Sequence, residues 1–471
     1  MNPPRFYLQR IELSNYRCFK HLIVDFDERL TVLIARNGLG KTAVLDAISV
    51  AYGPFVGSFH TGKSTGIALS DVRLVLTNPE LREMEPQYPS TIIVWAEIEI
   101  KGTSESDEIF DTTPSIRRLN SSKSKTTFKK ALLAIIGWLM QDQVTKNEPI
   151  ILPLIAYYGT GRLWKQKKKT EKKALNNEFF SRTSGYQDCL DPASSYQYVE
   201  DWIKHATLAD TQGRERRSKK EQLDFTEAET AYTPLLLAVQ EAVDECLKPT
   251  GWHGLHYSFD FEALVVEHTQ HGFLAVSQLS DGVRNMIGLV ADIAYRAVRL
   301  NSRFGQEAPK QTPGLVLIDE VDMHLHPEWQ QIVLTSLTKA FPALQFIVTT
   351  HSPQVLTTVP AKSIRILDTE WDEETGCNNI VVRLESQETL GMASSDVMAE
   401  TMGTDPVPDV EQARQLSRYK ALIQQNLHDK DQGRELRLQL DQHFGHQHPL
   451  MLECDRLIRL QEFKRQLPKR G

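Results

Sequence analysis

The sequence predicts an α/β protein with a mixed sheet, a helical insertion and a C-terminal helical region. Short apolar runs rich in β-branched residues occur at 31–34, 315–318 and 346–348, and the last two lead directly into polar residues. The first run leads through a glycine-containing turn into a segment with apolar residues at helical spacing. Ligands of open α/β sheets bind at the carboxyl ends of strands, so these three places are the first candidates for a site.

Composition and charge are typical of a soluble globular protein. Apolar residues make up 41% and charged residues 24% of the 471 residues. The formal charge of −7 excludes a globally basic nucleic-acid coat, so nucleic-acid binding would require local basic patches. The longest apolar run, 131–140, is about half as long as a membrane span and predicts a buried helix, with no membrane attachment. Five scattered cysteines without a CxxC pair, and an N-terminus without a signal pattern, favour the reduced cytoplasm.

The turn after the first apolar run has the features of a phosphate-binding loop (P-loop). A strand, a glycine turn and a helix N-terminus together present backbone N–H groups to phosphate, so this segment predicts an ATP site. Lys41 is expected to reach the β- and γ-phosphates, and the Thr42 hydroxyl is expected to bind Mg²⁺. The predicted nucleotide-binding residues of the loop are Arg36, Asn37, Gly38, Leu39, Gly40, Lys41 and Thr42.

A second segment, 57–64, matches the GxxxxGK[ST] pattern to the letter, whereas the loop at 35–42 has Ala35 in place of the first glycine. Context favours 35–42, because no apolar strand leads into 57–64 and Gly66 interrupts any helix after it. Alanine at position 35 requires only a negative φ. We therefore expect 57–64 to be a surface loop.

The apolar run 315–318 is followed by two adjacent acidic residues, Asp319 and Glu320. At a strand end they would divide the work of ATP hydrolysis. Asp319, with Thr42, would hold Mg²⁺, and Glu320 would orient or deprotonate the attacking water. The alternative is a capped strand end with solvated acids.

The third run, 346–348, leads through two threonines to His351. A histidine at this strand end would contact the γ-phosphate. Lys41, Glu320 and His351 together form the predicted catalytic set. The alternative for the following Ser352-Pro353 is a helix-capping turn.

A fourth segment, Leu279-Ser280-Asp281-Gly282-Val283, precedes a helix with periodic apolar residues. It resembles the signature motif of ABC-type ATPases, which usually reads LSGGQ. The order also matches, because the phosphate loop, signature, Asp-Glu pair and histidine follow one another in this way in ABC-type heads. The resemblance implies an ABC-type P-loop head in which Ser280, Asp281 and Gly282 of one subunit close on the ATP of another. It therefore implies a homodimer or a higher homo-oligomer.

The spacing of the segments narrows the kind of ABC-type head. Residues 43–278 separate the phosphate loop from the signature, and transporter cassettes keep these two motifs much closer together. The interval shows no sustained heptads, which disfavours the long coiled coil of SMC proteins. The opening of the chain, 11–19, does resemble the start of RecF- and SMC-like heads.

Two further stretches resemble the ATPase subunit of Septu-type anti-phage systems, including those linked to retrons. One is the apolar run 153–158 with the Gly-Thr-Gly-Arg turn after it; the other comprises 391–402 and the helical tail after Pro408. The resemblance implies a regulatory ATPase subunit that restrains a separately encoded HNH-type nuclease. Two alternatives stay open: a RecF-like repair ATPase that acts on DNA directly, and an ATP-sensing scaffold with little turnover.

The predicted organisation is a split ATPase head with an appended region. Its parts are lobe I with the phosphate loop (1–105), a mainly helical insertion (106–255), lobe II with the other three motifs (256–385), and a C-terminal helical region (386–471). The sequence shows no internal repeats.

Two features outside the four motifs are candidates for binding partners. Three basic runs of the insertion, 117–130, 165–173 and 214–220, are either solvated loops or contacts to nucleic-acid phosphates. In the C-terminal region, apolar residues near helical spacing predict either mutual packing or a docking surface for the nuclease. These residues are Val410, Ala413, Leu416, Leu422, Leu450, Leu457, Ile458 and Phe463.

Overall fold

A computed structural model describes residues 4–78, 80–100, 108–110, 114–129, 132–161, 181–192, 196–221, 224, 228–373 and 376–466. The strands are β1 (Phe6–Tyr16), β2 (Phe19–Asp25), β3 (Leu30–Ala35), β4 (Leu74–Asn78), β5 (Glu83–Pro86), β6 (Ser90–Ile100), β7 (Glu108–Phe110), β8 (Ser115–Leu119), β9 (Thr127–Lys129), β10 (Leu154–Tyr158), β11 (Trp252–Ser258), β12 (Ala263–His268), β13 (Gly272–Ala275), β14 (Gly314–Ile318), β15 (Leu344–Thr349), β16 (Ile364–Asp372) and β17 (Cys377–Leu384). The helices are α1 (Lys41–Val56), α2 (Leu132–Thr145), α3 (Gln197–Glu221), α4 (Thr233–Leu247), α5 (Asp281–Leu300), α6 (Ala308–Gln311), α7 (Pro327–Gln330), α8 (Val333–Ala340), α9 (Pro353–Leu356), α10 (Ser394–Glu400), α11 (Glu411–Gln424), α12 (Asp431–Phe444) and α13 (Pro449–Gln466). The basic run at 165–173 and the end of the predicted Gly-Thr-Gly-Arg turn lie outside the described residues.

A six-stranded sheet contains the three strands predicted from the apolar runs. Its order is β10-β14-β15-β3-β16-β17, with parallel pairing as far as β16 and an antiparallel β17 at one edge. Every residue of β14 and β15 is buried, as in a parallel sheet covered on both faces. The predicted α/β fold with a mixed sheet is confirmed. Because β15 lies between β14 and β3, the residues that follow these three strands meet at one edge.

Helix α1 follows β3 and is buried along nearly its whole length, with Tyr52 and Phe55 fully enclosed. Helix α2 packs against α1 and contains residues 132–140 of the apolar run for which a buried helix was predicted. That prediction holds for one face only, because Ile135 is 53% and Trp138 is 62% exposed. In the described part of the chain, neither α2 nor any other helix is long and apolar enough to cross a membrane.

A second, antiparallel sheet has the order β2-β1-β6-β8-β9, with β7 also paired to β6. Buried and half-buried side chains alternate along β6, which is the pattern of a sheet with one well-covered face. The structure differs here from the predicted boundary at 105, because β8 continues the sheet of lobe I. Likewise β10, inside the predicted helical insertion, is a strand of the central sheet. Both strands are short, which weakens their signal in the sequence. In addition, β10 pairs with β14, which lies far away in sequence, so its neighbours in sequence do not indicate it.

Helix α5 follows the three-stranded antiparallel sheet β11-β12-β13 and begins directly after the predicted signature serine. Two of its residues, Asp292 and Arg296, are 1% and 2% exposed and form an ion pair at 2.7 Å. The Tyr158 hydroxyl donates to the same Asp292 carboxylate at 2.7 Å. These bonds connect the signature helix to the end of β10, which pairs with the strand that leads to Asp319.

The chain divides into two compact units, Met1–Val397 and Met398–Gly471. In the second unit, α11, α12 and α13 enclose a small core of Tyr419, Ile423, Leu436, Leu440, Met451 and Cys454. The predicted stripe residues that pack against this core are Leu416, Leu422, Leu457 and Ile458. Val410 and Phe463 stay 46% and 59% exposed. Much of the predicted stripe therefore serves mutual packing of the three helices, which is the first of the two alternatives.

Candidate nucleotide site

Two glycines shape the loop between β3 and α1. Gly38 and Gly40 have φ values of +85° and +90°, in the left-handed region that residues with a Cβ adopt only under strain. At Gly40 a Cβ would also lie 2.5 Å from Cζ of Phe19. Ala35 is the last residue of β3 and lies outside the left-handed region. The backbone therefore does not require a glycine at position 35.

Lys41 is the first residue of α1, and its ammonium group lies at the carboxyl edge of the central sheet. Its Nζ is 2.7 Å from Nε2 of His351 and donates to the carbonyl oxygen of Ala35 at 3.2 Å. The residue is only 8% exposed, and this burial lowers the pKa of Lys41 against the opposing effect of nearby carboxylates, first of all Asp319. A buried ammonium group at this edge of the sheet is suited to bind an anion such as phosphate.

Thr42 and Asp319 meet in the same place. The Thr42 hydroxyl donates to Oδ2 of Asp319 at 2.9 Å. Asp319 is 3% exposed, and its backbone N–H donates to the Tyr158 carbonyl oxygen at 2.8 Å, which fixes its position at the end of β14. A hydroxyl and a carboxylate oxygen side by side are hard oxygen ligands, so the residues present fit the predicted Mg²⁺. Their part in binding this ion stays a prediction.

Thr349, the last residue of β15, connects the two acidic residues. Its hydroxyl donates to Oδ1 of Asp319 at 2.6 Å and accepts from the backbone N–H of Glu320 at 2.8 Å. Glu320 has a φ of +48°, which is unusual for a residue with a Cβ, and the bond from its N–H helps to hold it there. The sequence pattern predicts no role for Thr349. One signal could have identified it: Thr349 has a hydroxyl group at the end of a predicted strand, and this strand was expected to lie near the strand that precedes Asp319.

These groups line one pocket of about 320 Å³. The described residues that line it are Asn37, Gly38, Gly40, Lys41, Thr42, Asp319, Glu320 and His351. The structure thus brings the predicted loop, the Asp-Glu pair and the histidine together. Arg36 and Leu39 belong to the same loop but are not part of this described lining. The contact of Arg36 and Leu39 with a nucleotide stays a prediction.

The signature segment lies at the start of α5. Ser280 is exposed and is the N-cap of this helix, where backbone N–H groups carry partial positive charge. Gly282 packs so closely that a Cβ would lie 2.5 Å from the carbonyl oxygen of His324, in the loop after Glu320. Among the described residues that line the pocket, none comes from 279–283. The signature is therefore separate from the pocket of its own chain.

The alternative loop at 57–64 has a different context. It follows the C-terminal end of α1 instead of a strand. A helix C-terminus presents carbonyl oxygens, which are unfavourable for phosphate. Lys63 forms an ion pair with Asp188 at 2.9 Å, and Gly62 packs against Val56. This geometry supports the choice of 35–42 as the phosphate loop.

Several known proteins are similar to this chain. An AAA-domain family model matches residues 10–233, and a second AAA-domain model matches residues 192–357. The retron Vc95 probable ATPase of Vibrio cholerae serotype O1 biovar El Tor is 24% identical, over 93% of this chain and 87% of its own. The Septu protein PtuA of Bacillus mycoides (strain KBAB4) is 40% identical, over 18% of this chain and 11% of its own. Among solved structures, the SMC head bound to the C-winged helix domain of ScpA has a TM-score of 0.44 and 14% identity, and the match covers 81% of this chain and 98% of that chain.

Sequence similarity and site geometry agree. The AAA-domain models and the retron relatives confirm the predicted ATPase. The phosphate loop, the Asp-Glu pair and the histidine share one pocket, whereas the LSDGV segment begins a separate helix, as expected for an ABC-type head. The chain is an ATPase that is similar along most of its length to probable ATPases of retrons and, over a shorter part, to the Septu protein PtuA.

Proposed function

We propose that this chain is the ATP-hydrolysing regulatory subunit of a cytoplasmic anti-phage defence complex and that it controls a separate HNH-type nuclease. The similarity to retron and Septu proteins supports this setting. The observation that carries the proposal is the pocket in which Lys41, Asp319, Glu320 and His351 converge without Ser280. A head built in this way needs the signature of a second copy to complete its site.

Each side chain of the pocket has a distinct task. The loop N–H groups and Lys41 bind the β- and γ-phosphates. Thr42 and Asp319 hold Mg²⁺, which when bound neutralises the charge that develops on the phosphates. Glu320 orients the attacking water and accepts its proton. His351, which is 2.7 Å from Lys41, contacts the γ-phosphate.

A second copy completes the site from the opposite side. Its Ser280 hydroxyl and the N–H groups at the start of α5 donate to the γ-phosphate. The closed pair is then stabilised only while the γ-phosphate is present, so hydrolysis favours opening. A nuclease bound to both copies would be held by the closed form and released or activated by the open form.

Co-purification from the native operon tests the proposal. We expect the tagged chain to retain a neighbouring HNH-type nuclease and to hydrolyse ATP. In Glu320→Gln, ATP should stay bound while hydrolysis slows about 100- to 10,000-fold, because an amide cannot accept the proton of the water. Hydrolysis that is stimulated by DNA in the isolated chain, with no nuclease retained, would instead favour direct action on DNA and would contradict the regulatory role.

A further inference from the structure

Two basic runs of the chain differ in how their charges are compensated. In the run on α3, three of the five cations pair with an acid four residues away: Arg214 pairs with Asp210 at 2.7 Å, and Lys219 pairs with Glu215 at 2.6 Å. Arg217 pairs in the same way with an acid at position 221. This helix therefore presents a mixed surface, which is unsuited to strong attraction of phosphates.

The other run lies on the β8–β9 hairpin and in an acid-free part of the sequence. Residues 112–141 contain no Asp or Glu, and neither do residues 47–70. The structure brings these two segments together, because Nη2 of Arg117 donates to the carbonyl oxygen of Thr65 at 2.5 Å. The Thr126 hydroxyl also accepts from the backbone N–H of Ile67 at 3.0 Å.

A pocket of about 460 Å³ lies between the two segments. Its volume is within the range of small-molecule sites, about 300–1,000 Å³. The described residues that line it are Ser64, Thr65, Gly66, Ile67, Ala68, Leu69, Arg117, Leu119, Ser122, Ser124, Lys125 and Thr126. They include two cations and five hydroxyl groups, and the described lining contains no carboxylate.

The carboxylate of the nearest acid in sequence, Asp71, is already hydrogen-bonded and does not belong to the described lining. Its carboxylate accepts from Nε of Arg17 at 2.9 Å and from the backbone N–H of Ala68 at 2.9 Å. Arg117 is only 3% exposed, and burial lowers the pKa of Arg117 to about 10, so the guanidinium remains charged at neutral pH. Lys125 is exposed at the rim. The pocket thus has a buried cation, an exposed cation and several hydroxyl donors.

We propose that this pocket, between 64–69 and the β8–β9 hairpin, binds a phosphate group of a nucleotide or of a nucleic-acid backbone. Guanidinium, ammonium and hydroxyl groups are the donors that phosphate oxygens accept from. Leu69, 57% exposed, offers an apolar contact for a sugar or base. The site is separate from the ATP pocket and is not needed for hydrolysis, so the inference goes beyond the proposed function.

The test uses three probes on the full chain: inorganic phosphate, AMP and a fluorescent oligothymidylate. AMP carries a phosphate but lacks the β- and γ-phosphates that Lys41 is expected to hold. Lys125→Met removes the rim cation from a surface position, so it should fold, and ATPase activity serves as the folding control. Lys123→Met is the matched control, because Lys123 is an exposed lysine of the same hairpin outside the described lining.

If the ligand is a small phosphate ester, AMP and phosphate bind the wild type, and Lys125→Met weakens this binding at least about tenfold while Lys123→Met does not. If the ligand is a polymer, only the oligothymidylate binds, with strong dependence on salt, and Lys125→Met weakens it more than Lys123→Met. The proposal is overturned if no probe saturates the wild type at millimolar concentration. It is also overturned if the two variants behave alike, because that would indicate a diffuse surface charge and no pocket.

Discussion

At the scale of single residues, one hydroxyl group links the two acids of the site. Thr349 contacts the carboxylate of Asp319 and the backbone of Glu320 at once, so it determines where both stand relative to each other. Neither of these two hydrogen bonds reaches the phosphate loop or Lys41. We therefore regard it as a positioning residue that acts through the carboxylate of Asp319 and the backbone of Glu320.

Replacing Thr349 with valine removes both bonds and nearly preserves the shape of the side chain. We expect kcat for ATP hydrolysis to fall about 10- to 100-fold, as is usual when a metal-binding carboxylate loses its supporting partner. Steady-state hydrolysis at saturating ATP and Mg²⁺ measures the effect. The control is Thr338→Val, since the Thr338 hydroxyl donates to carbonyl oxygens within α8. An unchanged kcat together with an unchanged Mg²⁺ requirement would show that Thr349 does not position the acids.

The two candidate lysines give a second prediction at this scale. Lys41→Ala removes the cation at the start of α1 and should weaken ATP binding at least about tenfold, the loss expected for a charge-assisted contact. Lys63→Ala should leave ATP binding unchanged, because this side chain pairs with Asp188. Isothermal titration of both variants with ATP and Mg²⁺ decides between the loops. Loss of binding only in Lys63→Ala would mean that 57–64 is the phosphate loop.

At the scale of elements, the sequence was most informative where a strand and its functional residue are adjacent. The strands before Asp319 and His351 are fully buried, so their continuous apolar runs identified both the strands and the residues after them. The contacts of Thr349 and Arg117 were not predicted, because they depend on which strands and segments become neighbours in space. The same holds for β10, whose partner β14 lies far away in sequence.

The N-terminus of α5 is the element that we expect to serve a second copy. Ser280→Arg should leave ATP binding intact but block closure, because a long cation at the N-cap occupies the space for phosphate. Mixed with Lys41→Ala, it should regain partial hydrolysis, since each mixed dimer contains one intact loop facing one intact signature. Hydrolysis by the mixture, with mixed dimers verified by native mass spectrometry, is the measurement. No recovery in verified mixed dimers would contradict a shared site.

At the scale of the whole molecule, the candidate nucleotide pocket and a small helical core belong to different compact units of the chain. The pocket residues lie within Met1–Val397, whereas α11, α12 and α13 have their own core in Met398–Gly471. On α13, three apolar side chains remain about half exposed: Leu452, Leu460 and Phe463. Their spacing places them on one side of the helix. We propose this surface of α13 as the docking site for the nuclease.

A double substitution tests that surface without shortening the chain. Leu460→Glu with Phe463→Glu should abolish retention of the nuclease in a pull-down, because two charges would have to be buried in the contact. ATP hydrolysis should be unchanged, since the pocket lies in the other unit. Leu438→Glu is the matched control, because Leu438 on α12 is 60% exposed. Full retention of the nuclease by the double variant would place the contact elsewhere.

The glycines of the two motifs that we expect to face phosphate have a consequence for recognising distant relatives. Position 282 admits no side chain because of the His324 carbonyl, and positions 38 and 40 have left-handed backbones. Positions 35 and 281 face no such constraint, and here they hold alanine and an exposed aspartate. A sequence-search profile should therefore require glycine at positions 38, 40 and 282 and accept any residue at positions 35 and 281. Such a profile should retrieve related chains that the literal GxxxxGK[ST] and LSGGQ patterns reject. It should also discard accidental matches such as 57–64, where the exact letters stand at the wrong end of a helix.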